Sequence, residues 1–361
     1  DNNIINGGNG DDYIYGNNGD DTLSTGSGND QLFGGLGDDT LIINGTGDSI
    51  LDGGDGVDTF KVDMSHYVPP EDDPEFTYLV DLPNEFVGSL NNQEHVNNDT
   101  LKNIENVDYT GSINAIFYGN EDNNTINGGS GNDYLYGGDG NDTLKSGSGD
   151  DFVYGEAGDD VLILNGSGTQ IYDGGEGNDT FKLVHTSFEE ASLNPDFEQI
   201  IVIDLVNGIS GQKANPYLRD ILISIENATF VGDVDVEITG TNEDNKIISS
   251  DGNDFIEAGD GADYIISGDG SDIITTGAGN DIIHNRKNHA TDSLELTDRI
   301  TDFEIGYDKI ELDGFVFSDI VISQGEGEYS NDAIVSIAEG YLAVLENVNS
   351  TELSENDFSV P

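Results

Sequence analysis

The sequence predicts an all-β chain of stacked turn-and-strand coils, in three arrays separated by β-rich spacers and closed by a β-rich tail. Three observations predict it. A glycine- and aspartate-rich unit of nine residues recurs in tandem. The whole array returns 121 residues later. Alternating apolar runs, such as EQIIVIDL, fill the segments between arrays and read as strands.

From Gly7 the units read GGNGDDYIY, GNNGDDTLS, TGSGNDQLF and GGLGDDTLI, which sets Asp12, Asp21, Asp30 and Asp39 nine apart. Ile14, Leu23, Leu32 and Leu41 keep the same step. One residue is inserted near Ile43, an irregular unit follows from Asn44, and GGDGVDTFK closes the array with Asp58 and Phe60. DNNIINGG at Asp1 returns as DNNTINGG at Asp122, and Asp133, Asp142, Asp151, Asp160 and Asp179 copy the first five aspartates. A more diverged third array carries Asp254, Asp263, Asp272 and Asp281. The expected boundaries are arrays at 1–61, 119–182 and 240–284, spacers at 62–118 and 183–239, and a tail at 285–361. The spacers echo each other: VDL at Val80 matches IDL at Ile203, and NIENV at Asn103 matches SIENA at Ser224. Pro69, Pro70 and Pro74 read as an exposed loop.

Composition narrows the chemistry. Eleven Lys and Arg stand against 73 Asp and Glu, a net charge of −62. A chain so acidic repels itself unless a cation neutralises it. Nucleic acid is excluded as a partner, because phosphate contacts need Lys and Arg, and anionic lipid is excluded on the same ground. There is no cysteine, hence no disulfide, thiolate or Cys-based zinc chemistry. No apolar run approaches spanning length, so direct membrane insertion is not expected. The chain begins at Asp1 inside a repeat and without Met, which reads as a piece of a longer precursor.

The unit itself specifies a metal. Glycine at positions one, two and four permits positive φ and close backbone approach, so the turn aims carbonyl oxygens inward. The Asp at position six adds a carboxylate, and the apolar residue at position eight faces the core. Two units make one coil, and units 18 apart stack. A cation between stacked turns then meets carboxylates and carbonyls from both, the all-oxygen shell that calcium takes.

The pattern GGxGxDxUx resembles the repeats-in-toxin (RTX) family, for which this calcium-binding nonapeptide is characteristic. The resemblance implies a parallel β-roll, or β-solenoid, with multiple Ca²⁺. Carried over unit by unit, it pairs Asp12 with Asp30, Asp21 with Asp39, and Asp39 with Asp58. The copies pair Asp133 with Asp151, Asp142 with Asp160, and Asp160 with Asp179. In the third array Asp254 pairs with Asp272, and Asp263 with Asp281. Asn3, Asn124 and Asn245 hold the same place at the array starts and are expected as weaker ligands. Carbonyls of Gly8, Gly10, Gly26, Gly28, Gly129, Gly131, Gly147 and Gly149 are further candidates. The pattern fails at Ser49 and Gln170. On this register Asp39 borders two sites and Asp58 one.

The tail resembles the closing segment of such proteins, with DRITDF at Asp298 and GYDKIEL at Gly306, and is expected to cap the roll. Asp298, Asp302 and Asp308 sit among its apolar residues. The family also implies type I secretion, an extracellular or cell-surface location, and an export signal ending in LENVNSTELSENDFSVP.

Other features read as structural. The second acids Asp11, Asp20, Asp38, Asp150 and Asp159 are expected on a solvated face. His66, His95, His185, His284 and His289 show no close metal spacing and are expected at the surface. No GxSxG elbow or phosphate loop occurs, so the segment is expected to be non-enzymatic. Outward strand positions carry Tyr13, Tyr15 and Phe33, then Tyr134, Tyr136, Phe152 and Tyr154. The expectation is that a spacer packs over this aromatic face. The alternative is a contact face for other subunits or surface glycans. Two roles follow: a surface-layer, adhesin or matrix protein, or the accessory calcium-binding and secretion domain of a secreted hydrolase, epimerase or toxin.

Overall fold

The structure, a computed structural model, describes residues 1–67, 76–91, 94–185, 200–215, 219–286 and 290–361. The expected proline loop lies outside them. The chain divides into two units, Asp1–Asp179 and Thr180–Pro361.

In the first unit, successive nonapeptides alternate between two parallel sheets. One sheet runs through Ile4–Asn9, Thr22–Ser27, Thr40–Ile43 and Thr59–Asp63. The other runs through Tyr13–Asn18, Gln31–Leu36 and Ile50–Asp55. Leu23 pairs with Leu41, an 18-residue step, whereas Leu32 pairs with Leu51 because the inserted residue lengthens that coil by one. The position-eight side chains Ile14, Leu23, Leu32, Leu41, Leu51 and Phe60 are all buried between the sheets. Each strand is three to six residues with one core side chain, too little to be stable alone, so stability comes from stacking.

The first spacer continues both sheets. Asn106–Thr110 joins the first, between Thr59–Asp63 and Thr125–Asn127. An antiparallel meander of Thr77–Asp81, Phe86–Asn91 and Glu94–Lys102 joins the second. Its last strand pairs with Ile50–Asp55, and its first with Ala115–Tyr118. The duplicated strands then resume, with Ile126, Leu135, Leu144, Val153 and Leu162 fully buried.

The second unit follows the same plan. Ile247, Ile256, Ile265 and Ile274 form its fully buried column. The tail caps it. Ile274 pairs with Ile300 and Ile283 with Ile310, so both array-end strands gain a stacked neighbour. Beyond them Gly340–Leu345, Ala333–Ile337 and Val321–Gln324 turn antiparallel, and Phe358–Ser359 closes the other sheet. Antiparallel closure ends a solenoid edge that would otherwise pair with another chain. The only helices among the described residues are 3₁₀ turns such as Leu294–Leu296.

Truncation after Asn285 is expected to raise the calcium needed to fold the third array and to make what folds associate edge to edge. Calcium titration with light scattering checks it; superimposable titrations and two monodisperse chains would mean the tail is no cap.

Candidate metal centres

Glycine shapes the turns in two ways. Gly35, at position two, has φ 122°, a left-handed conformation that only glycine adopts without strain. Gly34, at position one, needs no positive φ. A Cβ there would overlap both Asp39 Oδ2 and the Gly53 carbonyl oxygen. Gly34 is therefore glycine for room, not for φ, a distinction the sequence does not reveal.

The position-six aspartates form columns along the turn edges. In each, Oδ1 accepts the backbone N–H one coil earlier: Asp12 N to Asp30 at 2.9 Å, Asp21 N to Asp39 at 2.7 Å, Asp39 N to Asp58 at 2.7 Å. The copy repeats this for Asp133 N to Asp151, Asp142 N to Asp160 and Asp160 N to Asp179. The third array repeats it for Asp254 N to Asp272 and Asp263 N to Asp281. Every pair expected from the spacing is thus stacked in register.

The second oxygens are the informative ones. Oδ2 of Asp12, Asp21, Asp30, Asp39, Asp58, Asp133, Asp142, Asp151, Asp160, Asp254, Asp263, Asp272 and Asp281 is buried and accepts no hydrogen bond. Burying a carboxylate oxygen without a partner is costly. Beside these atoms stand carbonyls: Gly34 O with Asp21 Oδ2 at Gly16, Gly53 O with Asp39 Oδ2 at Gly34, and Gly155 O with Asp142 Oδ2 at Gly137. An all-oxygen cradle around an unmatched negative charge fits a hard cation such as Ca²⁺. The position-one carbonyls were not among the candidates read from sequence. The candidate carbonyls at positions two and four point along the stack: Gly8 O lies against Gly26, Gly10 O against Gly28, Gly26 O against Gly45 and Gly28 O against Gly47. Gly129, Gly131, Gly147 and Gly149 repeat this beneath Gly147, Gly149, Gly166 and Gly168.

The asparagines differ. Asn124 Oδ1 accepts Asn120 N–H at 2.7 Å, and its Nδ2 donates to Glu105 O at 2.7 Å. Asn245 repeats the pair with Thr241 N–H and Glu226 O, each at 2.6 Å. Asn3 Nδ2 donates to Asp1 O. Each thus spends its amide N–H on a backbone carbonyl.

Three readings change on the structure and one is extended. The second acids are exposed, as expected, and also build an outer ladder: Asp11 Oδ1 accepts Asn29 N–H and Asp20 Oδ1 accepts Asp38 N–H, opposite in sense to the inner one. Asp38 and Asp159 serve Val57 and Asn178 likewise, and Asp150 serves Thr169. His284 is not a surface residue. Its side chain is 9% exposed, and Nδ1 lies 2.8 Å from Glu311 Oε2. His66 is exposed and His185 half-buried, whereas the side chains of His95 and His289 lie outside the described residues. Among the described residues the start of the aromatic face is open, Tyr13 and Tyr15 being 64% and 55% exposed, whereas Phe33, Tyr136, Phe152 and Tyr154 are half-buried, and the spacer's Tyr118 extends the ladder, stacking on Tyr136 at 4.9 Å. Finally, the columns outlast the nonapeptides. Asp58 N–H donates to Glu105 Oε2, Ser49 N–H to Asp99 Oδ1, Asp272 N–H to Asp298 Oδ1 and Asp281 N–H to Asp308 Oδ1.

Stacked turns with columnar carboxylates define a repeat solenoid. The chain carries RTX repeats in a β-roll: the RTX calcium-binding nonapeptide repeat model matches residues 6–41, 45–62, 109–144, 118–153, 136–167, 239–274 and 259–285. Among solved structures the chain is similar to the AlgE6R2 subunit of the Azotobacter vinelandii mannuronan C5-epimerase. The identity is 20%, over 34% of this chain and 91% of that one, with a TM-score of 0.26. It is also similar to the extracellular lipase LipA from Serratia marcescens, at 13% identity over 70% of this chain and 40% of the lipase, with a TM-score of 0.25. No curated protein matches it.

Burial dominates the electrostatics. It pushes the carboxyls of Asp133 and Asp254 up to about 8, those of Asp58, Asp142 and Asp281 to about 7, and those of Asp151, Asp263 and Asp272 to about 6. The stacked neighbour adds to it, as Asp151 does for Asp133, and the donated N–H partly opposes it. A carboxyl raised in the fold lends stability below its unfolded value near 3.8 and loses it as pH rises through the folded value. In chelator, the β signal is therefore expected to grow as pH falls from 8 to 5.5, and calcium binding at pH 7 should release protons. Circular dichroism and calorimetry in buffers of different ionisation enthalpy check both. An apo chain more folded at pH 8 than at 5.5 would reverse the sign and refute the account.

Proposed function

We propose that this chain is a secreted calcium-binding structural or cell-surface protein, of the surface-layer, adhesin or matrix kind, whose rolls fold on binding Ca²⁺ outside the cell. The buried, unmatched Oδ2 atoms of the position-six aspartates are the observation that supports it most. In this reading Asp12, Asp21, Asp30, Asp39 and Asp58, their copies Asp133, Asp142, Asp151, Asp160 and Asp179, and Asp254, Asp263, Asp272 and Asp281 are the anionic ligands. Carbonyls of the glycine turns complete the shells, and Asn3, Asn124 and Asn245 close columns instead of binding strongly.

Calcium supplies charge neutralisation here, not a reaction. The residues do the rest: beyond Asp12, which has no coil before it, each Oδ1 fixes its carboxylate by an N–H bond, and Oδ2 is left aimed at the gap between turns. Because the site exists only when coils are stacked, binding free energy is folding free energy. In a low-calcium cytosol the acidic chain stays extended and exportable, which suits type I secretion. The 121-residue duplication suits a scaffold, and the outward tyrosine face is the surface offered to other subunits or surface glycans.

Far-UV circular dichroism is expected to show a largely disordered chain in chelator at pH 7.5 and a β-rich one in millimolar calcium. Magnesium should substitute poorly, because it keeps its waters and demands tighter octahedral geometry. A chain equally folded in chelator would sink the proposal.

A further inference from the structure

The first spacer rejoins the roll at Asn103–Ile104–Glu105, and the contacts it makes there copy those of a nonapeptide. Glu105 Oε2 accepts Asp58 N–H at 2.6 Å, as Asp58 Oδ1 accepts Asp39 N–H at 2.7 Å. Asn106 N–H donates to Asp58 O at 2.9 Å, as Thr59 N–H donates to Asp39 O at 2.8 Å. Val107 then pairs with Phe60 in the core, at position eight. Most tellingly, the space beside Gly53 is bounded by Asp58 Oδ2 and Asn103 O, just as the space beside Gly34 is bounded by Asp39 Oδ2 and Gly53 O. Asp58 is fully buried, and that Oδ2 accepts no hydrogen bond.

We infer that Asp58, Asn103 O and Glu105 hold a further calcium ion, completed by the spacer instead of by a repeat. The inference rests on the calcium reading above. The turn differs from a nonapeptide in ways that fit. It spans two steps from Asn103 to Glu105, where the array takes five from Gly53 to Asp58. Asn103 makes the tight path with φ 49°, and the longer Glu side chain recovers the reach that a shortened turn loses. The second spacer repeats the device as Ser224–Ile225–Glu226, with φ 49° at Ser224. A cleft of about 880 Å³ opens onto Glu105, lined also by Glu85, Glu121, Asp122 and Glu156 and by no Lys or Arg. Such a cleft gathers cations and gives the ion an entry path and its remaining water ligands.

The site joins residues 47 apart in sequence, against 18 or 19 within the array. It therefore clips the returning chain, after the whole meander, onto the end of the first array. One ion makes the meander and both flanking arrays a single folding unit, because closing so long a loop is otherwise opposed by chain entropy.

Native mass spectrometry of the intact chain counts the ions. Glu105→Gln keeps an oxygen for Asp58 N–H but loses the charge, and should bind one calcium fewer than wild type. Glu121→Gln, on the same cleft, should bind the wild-type number. An undiminished count in Glu105→Gln overturns the inference while leaving the array sites intact, whereas a wild-type chain that binds no calcium overturns the calcium reading itself. If Glu105→Gln does not fold, Glu105→Asp keeps the charge and shortens the reach. One site in its titration should then weaken, and a titration identical to wild type would refute the site.

Discussion

Every other feature of this molecule depends on buried carboxylates stacked one per coil. Strands in a parallel sheet lie about 4.8 Å apart. At that spacing two like charges repel by roughly 3 kcal/mol with an effective dielectric of about 20. Beyond Asp12 at the start of its column, one oxygen of each carboxylate is spent on a backbone N–H, which fixes its place but neutralises little. The other is held out of water with nothing to accept from. A chain of net charge −62 can maintain such columns only when protons or metal ions enter them. Calcium is the better match, because carbonyls already line the same gap.

The hydrophobic core is tied to the same condition. Leu23, Leu41 and Phe60 on one side, and Ile14, Leu32 and Leu51 on the other, are each worth about 1.5–3 kcal/mol when fully buried. Each lies only two residues beyond a column residue, an aspartate in every case but Leu51, which follows Ser49. The leucine ladder cannot close without bringing the carboxylates together, and the carboxylates cannot meet a cation without closing the ladder. Core and carboxylate columns are therefore two readings of one stacking event, which is why the proposed function couples folding to binding.

How much of this was legible in the sequence follows from where each partner lies. The aspartates could be read because their partners sit 18 residues away in a strict period, and the inserted residue near Ile43 shows as a step of 19 between Leu32 and Leu51. The core was legible for the same reason. The outer ladder was not: Asp11 and Asn29 look like ordinary turn residues, and only their stacking reveals that one accepts the other's N–H. Glu105 was hidden because it is Glu in place of Asp, in a turn three residues short. His284 was hidden because Glu311 reaches it only after the cap folds back, 27 residues on.

The residues that break the pattern explain where the roll can be interrupted. A column that stops on an aspartate would leave a buried charge facing no second ligand. The columns instead stop on neutral groups or are carried past. Ser49 accepts Asp30 N–H through its hydroxyl and hands the column to Asp99, and both unusual bonds fall where the meander enters the sheet. Gln170 sends Nε2 to Gly149 O at 2.9 Å, Asn124 sends Nδ2 to Glu105 O, and Asn245 sends Nδ2 to Glu226 O. In each case an amide N–H sits against a backbone carbonyl of the neighbouring coil. A neutral donor satisfies that carbonyl without a metal and without adding charge.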